Sequence, residues 1–115
     1  MRRRAKKSHS DAYSVEASLR QMRAAVQAGR YHVHPHVFDH VLDLGISPGE
    51  LQGAIEKAFL EIDARHYKEP DHVFDPPGHG FVWESRYFGC RMYLKFRLEG
   101  RKPVCWLYSL HKAAF

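Results

Sequence analysis

Across residues 91–98 apolar and polar side chains alternate without a break, with Met92, Leu94, Phe96 and Leu98 in one set and Arg91, Tyr93, Lys95 and Arg97 in the other. A period of two belongs to a β-strand whose faces meet different surroundings. The strand predicted here buries the first set and presents a tyrosine among three cations on its other face. Residues 81–87 and 104–110 are rich in aromatic and β-branched side chains and read as further strands, with Glu99-Gly100-Arg101-Lys102 closing the last hairpin. A short extra strand is expected over residues 65–69. The segment Asp75-Pro76-Pro77-Gly78-His79-Gly80 reads as a loop.

The first half of the chain has a different period. Val15, Leu19, Met22 and Val26 recur at helical spacing between Ser14, a candidate cap, and Gly29, a stop. A second helix is predicted over residues 35–44, opened by Pro35, ended by Gly45 and carrying Phe38, Val41 and Leu42 as its apolar residues. Ser47-Pro48-Gly49-Glu50 has the form of a capping box ahead of Leu51, Ile55, Ala58, Phe59 and Ile62, so a third helix is expected over residues 48–64. Residues 1–10 are polar and basic, without periodicity, and predict a disordered arm; the arm is assigned to residues 1–12 and a single domain to residues 13–115. Helices first and strands afterwards give an α+β fold, with two to three N-terminal helices packed on one face of a C-terminal antiparallel sheet.

Charge is unevenly distributed. Lys and Arg outnumber acids eight to two in residues 1–30, are outnumbered three to nine in residues 31–80, and lead seven to two in residues 81–115, so +6, −6 and +5 sum to the net +5. Basic ends suit a polyphosphate partner. No apolar run approaches the roughly 20 residues of a membrane span, and no apolar stretch follows the basic start, so a cytoplasmic protein without a membrane partner is expected. Two cysteines suit a reducing compartment. Hairpin pairing would leave Cys90 and Cys105 on the order of 20 Å apart along the strands, too far for a disulfide.

Cutting RNA without a metal needs a base for a 2′-hydroxyl proton, an acid for the leaving oxygen, and cations for the phosphate. Glu84 is the candidate base, its bland alternative being a surface pair with Arg86. His111 is the candidate acid, since histidine is the side chain suited to proton transfer near neutrality. Turn length decides what stands beside Tyr93: an odd loop brings His111 to its face, an even loop brings Lys112. Arg86, Arg91, Lys95, Arg97 and Lys112 are the cations expected to hold RNA. Trp83 and Trp106 are expected in the core, and His72 and His79 in loops. His32, His34, His36 and His40 crowd into nine residues; surface or substrate-facing histidines are the leading reading and a zinc site the lesser one.

The segments His66-Tyr67-Lys68, Val82-Trp83-Glu84-Ser85-Arg86-Tyr87, Met92-Tyr93-Leu94-Lys95-Phe96 and Ser109-Leu110-His111-Lys112 are similar, in order and spacing, to the MqsR toxins within the RelE-like ribonucleases. The resemblance spans about residues 14–112. It implies a RelE-like fold, a ribosome-independent mRNA endonuclease and a cognate antitoxin that holds it inactive. Among its functional residues the family's lysine matches Lys68 and its tyrosine Tyr93. The family's glutamine is replaced here by Glu84, and its C-terminal lysine falls at His111 or Lys112. No cofactor is implied. The rival reading is a noncatalytic RNA-binding module on the same sheet face, and a third is a zinc-binding interaction protein built on the histidine cluster.

Overall fold

The computed structural model describes residues 3–72 and 77–114. Its elements run α1 (Arg3–Gln27), β1 (Tyr31–Val33), α2 (Pro35–Asp43), α3 (Leu51–Glu61), β2 (Tyr67–Asp71), β3 (Gly78–Glu84), β4 (Arg91–Glu99) and β5 (Val104–Lys112). Among the described residues this is an α+β fold with three α-helices and one five-stranded sheet in the order β1-β5-β4-β3-β2. Among the described residues no helix is long and apolar enough to cross a membrane.

The helical period places Val15, Leu19, Met22 and Ala25 of α1 in one buried cluster with Val37 and Val41 of α2 and Ala54, Ile55, Ala58 and Phe59 of α3. Facing them are Phe81, Trp83, Met92, Leu94, Phe96, Cys105, Leu107 and Leu110, every one from the same side of the sheet. The helices therefore cover one sheet face, and the other carries the alternate residues.

Several expectations are corrected. The sheet is mixed, not antiparallel, because β1 adds to β5 in parallel, Tyr31 opposite Cys105 and Val33 opposite Leu107. Three residues are too few to show periodicity, so this strand left no signal. Helix α1 starts at Arg3, ahead of the expected cap at Ser14; arginine, alanine and lysine are good helix formers, which lets the backbone helix extend ahead of the apolar stripe. The third helix is broken into a 3-10 turn (Pro48–Glu50) and α3, and Ser47 makes no side-chain cap bond. A capping box does form later, where Asp63 accepts from Arg65 N and His66 Nδ1 accepts from Asp63 N.

Strand β3 begins at Gly78, within the expected loop, whose Asp75-Pro76 part lies outside the described residues. His79 is thus a strand residue opposite Phe96, lying between Tyr67 and Phe96 with Ser18 Oγ 3.2 Å from its Nε2. Strand β3 also ends at Glu84, three residues short of the expected limit. Glu61, the last residue of α3, clasps the turn that follows: its carboxylate accepts from Trp83 Nε1 (2.8 Å), Ser85 Oγ (2.6 Å), Arg86 N (3.1 Å) and Tyr87 N (3.0 Å). That clasp ties the helical layer to the β3–β4 hairpin. Both cysteines are free, Cys105 buried and Cys90 half-buried.

Candidate functional site

The sheet face opposite the helices carries Gly80, Val82 and Glu84 from β3, then Arg91, Tyr93, Lys95 and Arg97 from β4, between which Met92, Leu94 and Phe96 go to the core. Tyr93 leans across Gly80. A Cβ built on Gly80 would lie 2.7 Å from the Tyr93 hydroxyl, so only glycine leaves room for the ring in this position. Val82 is the direct partner of Tyr93 on β3.

On the other flank Tyr93 is paired with His111, ring centroids 5.4 Å apart. Turn length alone would not produce this pair. The four-residue connection between Glu99 and Val104 sets a register in which Phe96 faces Leu107, and continued unchanged it would set Leu110 opposite Tyr93. The register shifts between Lys95 and Phe96, with Lys95 opposite Ser109, so that Tyr108 is an extra residue on β5. This β-bulge sends Leu107 and Leu110 to the core although they are three apart, and returns His111 to the open face. His111 Nδ1 lies 2.8 Å from the Lys112 carbonyl. A carbonyl only accepts, so Nδ1 is the donor in this contact.

Helix α2 brings further imidazoles to the same place. His36 and His40 are four apart and share a helix face, while Val37 and Val41, one residue further on, enter the core. The rings form a row, His34 to His36 at 4.1 Å, His36 to His40 at 5.5 Å and His40 to His111 at 5.4 Å. The row is anchored to β5 by His34 N donating to Leu107 O and His36 Nε2 donating to Tyr108 O (2.7 Å). A cleft of ≈ 420 Å³ opens beside it, lined by His40, Asp43, Leu44, His111 and Lys112. Among the described residues no group of three or more His, Cys, Asp or Glu is arranged to hold a metal ion.

The remaining sequence candidates lie around this centre. Glu84 shares the face, but its carboxylate is bonded to Arg91 Nε at 2.8 Å, directly across the β3–β4 pair, and not to Arg86. Arg86 is exposed in the turn after β3. Lys68 is exposed on β2, at a register shift next to Glu69, the partner of Gly80; two strands separate β2 from β5. Lys95 and Arg97 are half-buried along β4, and Lys112 is exposed at the rim of the cleft. The structure therefore joins Tyr93, His111 and Lys112, leaves Glu84 one pair away, and adds Gly80, which was not a candidate, and His40, weighed only as a substrate-facing or zinc-site histidine. The i, i+4 spacing of His36 and His40, set against Val37 and Val41, is the signal that marks His40.

Trp83 is in the core as expected, but Trp106 is not. It alternates with Cys105 and Leu107, so it is half-buried on the open face, where His32 lies 4.7 Å away and Tyr108 6.2 Å away. No protein family, curated protein or solved structure matches this chain.

Proposed function

We propose that the protein is an endoribonuclease of the RelE-like, MqsR-related kind, a toxin that cuts mRNA by metal-independent acid–base chemistry and is restrained by an antitoxin. The observation that carries this reading is the meeting of His40, His111 and Lys112 around one cleft, with Tyr93 against His111. Two imidazoles supply the base and the acid. One accepts the 2′-hydroxyl proton as that oxygen attacks the adjacent phosphorus; the other protonates the 5′ oxygen as its bond to phosphorus breaks. A 2′,3′-cyclic phosphate and a 5′-hydroxyl result. Lys112 offsets the charge gathering on phosphate, and Tyr93, held over Gly80, positions the phosphate or ribose. The base role expected of Glu84 passes to His40, because His40 lines the cleft with His111 whereas Glu84 does not and faces Arg91 instead. Lys68 and Lys95 extend the cationic track for the RNA backbone.

The test is incubation of purified protein with single-stranded RNA in chelator, followed by analysis of fragment ends. Cyclic or 3′-phosphate ends are expected, and cleavage that appears only with added Mg²⁺ would exclude the mechanism. The toxin reading further requires that expression arrests growth and that a cognate antitoxin, acidic where it meets the basic face, relieves the arrest.

The rival reading, a noncatalytic RNA-binding module, draws on the Glu84–Arg91 ion pair, which occupies a carboxylate that catalysis was expected to use. Binding without cleavage in the same incubation would favour it.

A further inference from the structure

Trp106 alternates with buried Cys105 and Leu107 and so lies on the face away from the core. An indole left there is only partly buried, and its surroundings hold it in one orientation. Its Nε1 donates to Glu99 at 3.0 Å, His32 lies tilted over it at 35°, and Tyr108 stacks beside it at 25°. Arg97 sits 5.9 Å from the Tyr108 ring centre, bonded to the Tyr108 hydroxyl and to Glu99. The adjoining turn exposes Arg101 and Lys102.

We propose that His32, Trp106 and Tyr108 form a stacking platform for unpaired bases of single-stranded RNA, flanking the cleavage centre. The proposal rests on the RNA reading of this face. Flat rings accept any base, and a ring already held by hydrogen bonds loses little freedom on binding. Arg101 and Lys102, exposed in the turn, supply the positive charge that a phosphate backbone requires alongside, while Arg97 is paired with Glu99 and holds Tyr108 in place. Trp106 and His111 are five residues apart on β5, on the order of 15 Å at ~3.3 Å per residue, a span that a few nucleotides of extended strand cover. A duplex has no free base faces to offer.

Binding is measured separately from cutting, with the full chain carrying His111→Ala, in chelator, against a short fluorescein-labelled single-stranded RNA. Trp106→Ala in that background is expected to weaken binding about 5- to 150-fold. Trp106→Phe, which keeps a ring, should stay within about threefold of the parent. Since Trp83 is buried beneath Glu61, RNA should quench the fluorescence of Trp106 alone, and a duplex of the same sequence should quench it little. Equal affinity of Trp106→Ala and its parent, or equal quenching by duplex, overturns the platform while leaving RNA cleavage standing. Binding that depends on Trp106 without cleavage by the unmutated protein supports the platform and removes the nuclease reading. Absence of RNA binding by every form overturns both, and leaves this aromatic face to a protein partner.

Discussion

Tyr93 and His111 face each other at 5.4 Å across β4 and β5 because Tyr108 is accommodated as an extra residue between them and the turn. On one side of that bulge β5 sends Cys105 and Leu107 inward, and on the other it sends Leu110 inward. The same bulge leaves the Tyr108 carbonyl accepting from His36, so the irregularity also seats the histidine row of α2. One local departure from strand regularity thus assembles the tyrosine and the imidazoles on which the proposed chemistry depends.

Substitution of either imidazole in the cleft separates this arrangement from the one centred on Glu84. His40→Ala and His111→Ala should each lower the RNA cleavage rate by roughly 10²–10⁴ with the fold retained. Glu84→Gln keeps its size and loses only the ion pair with Arg91, an exposed contact worth little, and should change the rate less than about tenfold. Single-turnover rates in chelator decide the matter. A large loss in Glu84→Gln with near-full activity in His40→Ala would return the base role to the carboxylate.

Gly80→Ala tests the seat of Tyr93. The new methyl would meet the tyrosine hydroxyl at 2.7 Å, and the far end of that side chain is the part able to yield. Cleavage should fall by up to about 10²-fold through a misplaced ring, while stability changes by about 1 kcal/mol or less. Urea midpoints and cleavage rates, measured on the same preparation, check both halves; unchanged cleavage would mean that the position of Tyr93 is not used.

The clasp at Glu61 predicts an acid-sensitive hairpin. Burial pushes this carboxyl up, but bonds from Ser85, Trp83 and the Tyr87 and Arg86 amides outweigh burial and hold it below its ordinary value of 4.5. A depressed carboxyl contributes stability that is present above about pH 4.5 and is lost as pH falls through the lower folded value. Glu61→Ala should cost roughly 2–3 kcal/mol at pH 7, since buried Ser85 loses its acceptor. Thermal melts between pH 7 and pH 3 should show a shallower acid slope in the variant than in the parent.

His79 predicts a second acid effect, at higher pH. Burial lowers this imidazole below its ordinary 6.5, because the charged form is poorly solvated between Tyr67 and Phe96. The unfolded chain takes up the proton first, so stability is full above about pH 6.5 and declines as pH drops beneath it. His79→Phe, matched to its aromatic neighbours, should flatten the stability curve between pH 6.5 and pH 5. Persistence of the full slope in chemical denaturation would assign it to another histidine.

Much of the fold could be read from the chain. The stripe Val15, Leu19, Met22 of α1, the apolar series of α3 and the alternation of β4 each identify an element and its buried face, because side-chain direction repeats with the backbone period. The open-face position of Tyr93 was legible for the same reason, since it stands on the most regular strand.

What the tertiary structure decided were the relations between distant segments. The parallel pairing of β1 with β5 depends on 70-odd intervening residues returning the chain to one edge, and a three-residue strand carries no pattern of its own. That Trp106 and His111 share the open face although an odd number of residues apart depends on a single inserted residue, since in a strand a shift of one exchanges core and solvent. His40 meets His111, and Glu84 meets Arg91, through packing and register that short-range periodicity does not encode. Local sequence determined the long helices and strands and which of their sides are apolar; only the assembled sheet determined which polar residues on those sides come together.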